Sequence, residues 1–192
     1  MAISDGYCTG AELETHMGSN RTGFSTAGDV ELAIEAAARD IDAWCGRRFY
    51  ADASASARTF YPASPSYLPI DDAWLVTALT IDGTSADPAD YDEVPLNGVR
   101  DGIEGWPVLG LRVPDDGTAP TGFYRKCVVT AKWGWTAVPT AVKSANLLLA
   151  AELLKTGDIP MIDEFQQGSS EMKTVYRQLR VYRDGLRAVP VA

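Results

Sequence analysis

Apolar residues recur with a helical period in the first quarter of the chain. Within residues 29–48 they follow one another at alternating spacings of four and three, at Val30, Ile34, Ala37, Ile41 and Trp44. This pattern predicts an amphipathic helix over residues 28–47. A shorter segment, residues 10–17, places Leu13 and Met17 on one face and predicts a short helix.

Residues 49–125 have a different texture, rich in prolines, aromatic residues and turn dipeptides. Short runs with strand character occur at 58–61, 67–70, 75–81, 108–113 and 123–133. Asp82-Gly83 and Asp116-Gly117 predict hairpin turns, and residues 87–97 predict a loop. The middle of the chain is therefore expected to be a small sheet or barrel inserted between helices.

A strand passes into a helix across one sharp junction after this region. The strand alternates apolar and polar residues up to Trp133, and Gly134 breaks the run. Thr136 is expected to cap the following helix, with Pro139 in its first turn. That helix is apolar over most of its circumference, through Val142, Ala145, Leu148, Leu149, Leu153 and Leu154. Such a helix must be enclosed on several sides, which predicts that it is the hub of the core.

The last segment combines a predicted linker, a helix and an apolar tail. Residues 161–170 predict a mobile linker, and residues 171–187 predict a helix with an apolar stripe at Met172, Val175, Leu179, Tyr182 and Leu186. A second stripe is basic. Residues 171–192 hold five basic and two acidic residues, a local charge of +3 in a chain whose net charge is −9.

These elements predict an α+β fold in two parts. Residues 1–48 and 126–192 form a helical bundle core of about four helices, and residues 49–125 form the β-rich insertion. We expect Trp133 and Leu149 to share one cluster with Ile41 or Trp44.

Composition narrows the possible functions. The chain has 192 residues, 46% of them hydrophobic and 22% charged, as in soluble globular proteins. It has no apolar run near the roughly 20 residues that a membrane helix needs, and its first residues lack a secretory signal. The acidic balance argues against a conventional nucleic-acid binder. Three scattered cysteines predict reduced, buried thiols and no zinc site.

No residue pattern predicts catalysis, cofactor binding or a metal site. His16 is the sole histidine and is expected on the surface or at a helix end. The acidic groups Asp71-Asp72, Asp115-Asp116 and 90–93 are expected to be solvated turns, because adjacent residues of a strand point to opposite faces. Phosphate-binding glycine motifs and a nucleophile elbow do not occur.

The segment W-G-W at 133–135, followed by V-P at 138–139 and an Ala/Leu-rich helix, resembles the head–tail connector proteins of long-tailed bacteriophages, also called adaptor or head completion proteins. Those proteins likewise open with a short helix and a longer amphipathic one. The resemblance covers 10–17, 28–47 and 126–155. The middle of the chain, residues 49–124, resembles nothing in that family.

This resemblance implies a structural virion protein at the neck, made in the cytoplasm of the bacterial host. Members of the family form a homo-oligomeric ring of about twelve copies on the portal protein. The ring extends the DNA channel and receives the next neck or tail protein, and double-stranded DNA passes through it without specific binding. No enzyme activity, cofactor or membrane contact is implied.

The basic stripe and the tail together are the candidate portal-binding segment. A solvated face is the simpler interpretation of a charged stripe, but a linker before the helix and an apolar tail after it suit docking on a partner. The candidate residues are Lys173, Arg177, Arg180, Tyr182, Arg183, Arg187, Val189, Pro190 and Val191.

Two alternatives remain open from the sequence. One is another neck component, such as a stopper or tail completion protein, although those neighbours are mostly β. The other is an unrelated enzyme or ligand-binding domain with its site in the middle of the chain.

Overall fold

The computed structural model describes residues 6–18, 27–113, 125–156 and 170–184. Over these ranges the chain forms four α-helices and eight strands, which confirms the α+β fold. Its residues divide into two units. The helical unit comprises Met1–Phe49 and Val138–Ala192, and the sheet unit comprises Tyr50–Ala137.

The first helix of the helical unit is held by its own cap. Helix α1 spans Gly10–Met17, as expected from the sequence. The Thr9 hydroxyl accepts a hydrogen bond from the Glu12 N–H, and the Glu12 carboxylate accepts one from the Thr9 N–H, so two backbone donors are satisfied together. Glu12 also pairs with the Lys143 ammonium, which lies 2.5 Å away and lowers the pKa of that carboxyl. His16 is exposed in the last turn, as predicted.

Helix α2 spans Ala27–Cys45 and buries the predicted stripe in part. Ile34, Ala37 and Ile41 are fully enclosed, whereas Val30 and Trp44 are half-buried. Alanines 33 and 38 widen the buried face. The small side chains along this face allow a neighbouring helix to approach closely.

Helix α3 spans Thr140–Thr156 and packs against α1, α2 and the fourth helix, α4, which spans Ser170–Asp184. The prediction that α3 is a hub is therefore confirmed within the helical unit. The predicted cap at Thr136 is wrong, because the helix begins four residues later. Proline restricts the residue before it to extended conformations, so Val138 cannot be helical and the helix starts after Pro139.

A buried polar residue joins α3 to α2. The Asn146 side chain has no solvent exposure, and its amide Nδ2 donates a hydrogen bond to the Ile34 carbonyl, 3.1 Å away. Because a buried amide is costly without partners, this bond favours one axial register of the two helices.

The sheet unit is built from antiparallel strands in the order β1-β8-β2-β7-β4, with β3 paired to β2. The strands are Ser56–Phe60 (β1), Tyr67–Ile81 (β2), Thr84–Ser85 (β3), Asp92–Val94 (β4), Val108–Arg112 (β7) and Cys127–Trp133 (β8). A separate hairpin joins Val99–Arg100 (β5) to Ile103–Glu104 (β6). The turn between β2 and β3 uses Asp82 and Gly83, both at positive φ, which confirms that predicted hairpin.

Strand β2 is one continuous strand, although the sequence predicts two. Its first half pairs with β7 and its second half with β8, and the register shifts between Pro69 and Ala73. Asp71 and Asp72 lie at this irregularity, so the expectation that they form a turn is wrong. A bulge accommodates polar residues without ending the strand.

Two more boundaries differ from the sequence prediction. The second part of the helical core is expected to begin at residue 126, whereas the helical unit resumes at Val138, because the predicted strand that becomes β8 pairs with β1 and β2 in the sheet unit. The expected loop at 87–97 contains β4, which pairs with β7, and two short 3₁₀ turns at Pro88–Asp90 and Leu96–Gly98. Strand β4 has only three residues, two of them acidic, so its sequence shows no alternation of apolar and polar residues that would predict a strand.

The core of the sheet unit is formed by its own strands. Leu68, Leu79, Leu111 and Val129 are fully enclosed, and Trp133 belongs to the same cluster. Leu149 is buried in the helical unit. The predicted single cluster of Trp133 and Leu149 would join residues of both units and stays a prediction.

The hub helix gives the first testable prediction. Replacing Leu149, which is 2% exposed, with alanine should lower the free energy of unfolding by roughly 2–5 kcal/mol, because it leaves a cavity between helices. The matched control is Leu32→Ala on α2, where the leucine is 67% exposed and the loss should be under about 0.5 kcal/mol. Denaturant unfolding of both variants measures the difference, and equal losses would contradict the hub assignment.

Candidate functional site

Helix α4 separates an apolar face from a basic one. Val175, Leu179 and Tyr182 are buried at spacings of four and three residues. Lys173, Arg177 and Arg180 are exposed. The helix is thus attached by one face and presents positive charge on another, as the sequence predicts.

Aromatic contacts fix α4 in the helical unit. The Tyr182 ring meets the Phe49 ring edge to face at 5.5 Å, and the Tyr176 ring meets the Trp44 ring at 5.2 Å. The Arg183 guanidinium lies 4.4 Å from the Trp44 ring centroid, a cation–π contact. Tyr182 and Arg183 therefore help to hold the helix.

The predicted portal-binding residues thus fall into four groups. Lys173, Arg177 and Arg180 lie together on the exposed face, whereas Arg183 is half-buried against Trp44. Tyr182 was expected to contact a partner. Its side chain is only 7% exposed, so it packs inside the helical unit instead. The others, Arg187, Val189, Pro190 and Val191, lie outside the described residues, as do most of the predicted linker at 161–170 and the Asp116-Gly117 turn.

The W-G-W segment, residues 133–135, forms hydrogen bonds that link strands of the sheet unit. The Trp133 indole N–H donates to the Ser56 carbonyl at 3.0 Å, and the Trp135 indole N–H donates to the Asp72 carboxylate at 2.7 Å. Between them, the Gly134 N–H donates to the Asp72 carbonyl at 2.7 Å. The three residues therefore pin the end of β8 to β1 and to the irregular part of β2.

Gly134 sits where a side chain cannot fit. Its φ is +99°, and a Cβ built on it would lie 1.7 Å from the Tyr50 carbonyl oxygen. Both the backbone conformation and the close approach require glycine.

A cavity of about 240 Å³ opens beside this segment in the sheet unit. Its lining includes Trp74, Glu93, Pro95, Trp106, Pro107 and Thr136. The Trp106 ring packs on the Trp135 ring at 5.1 Å, which connects the cavity wall to the W-G-W segment. Desolvation raises the pKa of the Glu93 carboxyl. Nothing in the sequence pattern indicated this cavity, because its walls come from segments far apart along the chain.

Burial shifts the pKa of the three cysteines and of Tyr7. Burial raises the pKa of Cys8 to about 11 and that of Cys45 to about 12, and it raises the pKa of Cys127 as well. All three thiols are free and buried, as predicted, and are protonated at neutral pH. Burial also raises the pKa of Tyr7, whose hydroxyl donates to Asp42 and accepts from the Phe49 N–H.

The acidic pairs do not converge on an ion in the part of the chain that the structure describes. Asp71 pairs with the Arg58 guanidinium at 2.8 Å, while Asp72 accepts from Trp135. Among the described residues, no group of three His, Cys, Asp or Glu side chains is arranged to hold a metal. Within the same ranges, no helix combines the length and the apolar character needed to cross a bilayer.

Solved structures provide two similarities. A chain in the virion of a native gene transfer agent particle has a TM-score of 0.53 and 18% sequence identity, over 95% of this chain and 92% of that one. A chain in the neck of an empty gene transfer agent particle, computed with C6 symmetry, has a TM-score of 0.49 and 19% identity, over 82% and 83%. The first is a likeness of fold, and the second carries no further weight. No family model and no curated protein matches the chain.

The W-G-W segment gives the second prediction. Gly134→Ala should severely destabilise the sheet unit, because the new methyl group would collide with the Tyr50 carbonyl. Gly83→Ala is the matched control: Gly83 also has positive φ, at +87°, but an added Cβ would meet nothing within 4 Å. Thermal unfolding should show a much larger fall in Tm for the first variant. Similar falls would mean that the close approach at Gly134 carries no cost.

Proposed function

We propose that this chain is a structural protein of the neck of a phage-like particle, and within that neck a head–tail adaptor. The observation that supports this most is the fold likeness to a chain of the gene transfer agent virion, which extends over nearly the whole of both chains. A shared fold does not fix a role by itself. The role comes from combining it with the resemblance to phage adaptors.

The helical unit favours an adaptor over the other neck proteins. Stopper and tail completion proteins are mostly β, whereas here two helices that precede the sheet unit and two that follow it pack together. The elements that carry the resemblance, α1, α2, β8 and α3, are all present in the structure, although α3 begins later than expected. The cytoplasm of a bacterial host and then the virion neck are the corresponding locations.

In this proposal the protein has no reaction to catalyse and needs no cofactor. Its mechanism is assembly: about twelve copies surround the DNA channel below the portal, each contacting the next by a heterologous interface. The ring receives the next neck or tail protein on its far side. The net charge of −9 per copy would keep double-stranded DNA from adhering as it passes.

We place the portal-binding surface on the exposed face of α4 and the segment after it. Lys173, Arg177 and Arg180 would meet acidic groups of the portal, together with Arg187. Arg183 and Tyr182 would act indirectly by holding the helix against Trp44 and Phe49. Val189, Pro190 and Val191 would supply the apolar anchor, because buried apolar contacts set residence time while rim charges set association rate.

The third prediction tests the adaptor role itself. Mixed with its cognate portal, the full chain should bind as a ring of about twelve copies per portal assembly. Native mass spectrometry of the complex measures the stoichiometry directly. One or two copies per portal, or binding only to a preassembled adaptor ring of another protein, would contradict the proposal.

The fourth prediction concerns the basic face. Arg177→Glu should slow association with the portal, most visibly at low salt, because it reverses an exposed charge on the proposed docking face. Lys126→Glu is the matched control, since it makes the same charge change at an exposed position of the sheet unit. Stopped-flow or surface-binding kinetics at two ionic strengths distinguishes the variants.

Deletion of residues 188–192 in the same assay separates the tail from the helix. We expect normal association and faster dissociation, since the apolar anchor is lost while the basic face is kept. Equal slowing by Lys126→Glu and Arg177→Glu would show a nonspecific charge effect. Unchanged dissociation after the deletion would show that the tail is not the anchor.

A further inference from the structure

We propose that Tyr7, which lies shortly before α1, is a positioning residue for the last turn of α4 and so for Arg180 of the proposed portal-binding face. Tyr7 acts through Phe49, which its hydroxyl and its ring hold in place. The link from Tyr7 to α4 rests on contacts within the helical unit. Its consequence for portal binding rests on the function proposed above.

The Tyr7 hydroxyl is bound on both sides. It donates a hydrogen bond to the Asp42 carboxylate of α2 and accepts one from the Phe49 N–H, 2.9 Å away. Asp42 is itself paired with the Arg39 guanidinium at 3.2 Å, so the acceptor is fixed on its helix. Burial raises the pKa of Tyr7, so the hydroxyl stays protonated and continues to donate. It therefore ties the segment before α1 to α2 and to the backbone at Phe49.

Phe49 lies outside the helices and strands, so side-chain contacts help to decide where it sits. Helix α2 ends at Cys45, and β1 begins at Ser56. The Phe49 ring is fully buried. It meets the Tyr7 ring edge to face at 5.8 Å and the Tyr182 ring at 5.5 Å. Because such pairs depend on distance and angle, a displacement of Phe49 disturbs its contact with α4.

Tyr182 lies in the last turn of α4, which ends at Asp184. The last turn of a helix has carbonyl groups without intrahelical partners, and helix ends open most readily. Val175 and Leu179 bury earlier turns of α4, whereas Tyr182 is the last of its described buried residues. Arg180 is exposed in the same part of the helix. The Phe49 ring therefore helps to present Arg180 from an ordered turn.

The hydroxyl of Tyr7 can be removed while its ring is kept. In Tyr7→Phe, the Phe49 N–H and the Asp42 carboxylate each lose a hydrogen-bond partner in the interior, which is costlier than such a loss at the surface. Phe49 is then held less firmly. The cation–π contact between Arg183 and Trp44 remains, so we expect the last turn of α4 to open more often without detaching the helix.

Amide hydrogen exchange of the intact chain, followed by NMR, tests the link in the absence of a portal. Tyr7→Phe should accelerate exchange of the amides of residues 181–184 about tenfold, the factor that corresponds to one net hydrogen bond. The amides of residues 174–177, in the middle of α4, should exchange as before. Tyr67→Phe is the matched control, because it removes the same atom from a half-buried tyrosine of the sheet unit. It should leave exchange in α4 unchanged.

Leu13→Ala separates this local effect from a general loss of stability. Leu13 is fully buried on α1, so its truncation leaves a cavity in the same unit and keeps the Tyr7 hydroxyl. It should not accelerate residues 181–184 more than residues 174–177. Uniform acceleration along α4 by Tyr7→Phe, or no acceleration, would overturn the proposal.

Binding to the cognate portal tests the consequence. Tyr7→Phe should slow association about twofold, because the binding-competent form is less populated. It should add nothing in a chain that already carries Arg180→Gln, since it acts by placing that arginine. An equal effect in both backgrounds would overturn the positioning role. If exchange changes as expected but Arg180→Gln binds normally, the link to α4 stands and the proposed portal-binding face is wrong.

Discussion

The burial of α3 is the constraint on which the helical unit depends. A helix with leucine and alanine on most of its sides cannot stand at a surface, so other helices must cover it. Two of its neighbours, α1 and α2, precede the sheet unit in sequence, and α4 follows. Along the chain, the hub helix and its last neighbour therefore come only after the whole sheet unit. Asn146 adds specificity to this packing, since its bond to the Ile34 carbonyl is satisfied in one register of α2 and α3.

Elements with a strong local period could be predicted from sequence, and elements defined by distant partners could not. Helix α1 has its predicted ends, and the apolar stripes of α2 and α4 are buried at their central residues. The sequence predicts two strands in place of β2, because Asp71 and Asp72 interrupt the apolar pattern. The strand is continuous because it pairs first with β7 and then with β8. Strand β4 is three residues long and exists through β7.

In the candidate site, too, features within one segment could be predicted and features built from distant segments could not. Exposed Lys173, Arg177 and Arg180 could be found because charge and helical period lie within one segment. The sequence assigns Tyr182 both to the apolar stripe and to the docking residues, and its ring contact with Phe49 decides for the stripe. The cavity beside Trp106 needs residues from β2, β4 and the segment before β7, so no window of sequence contains it.

The first and last segments of the sheet unit lie next to each other. Close to its first residue, the Asp52 N–H donates to the Trp133 carbonyl at 2.7 Å, and Ser56 is opposite Ala131. A unit whose two ends meet in this way closes on itself and can be inserted into a host fold with little disturbance. Such a unit is free to diverge, to be enlarged or to be exchanged between lineages while the surrounding helices are retained.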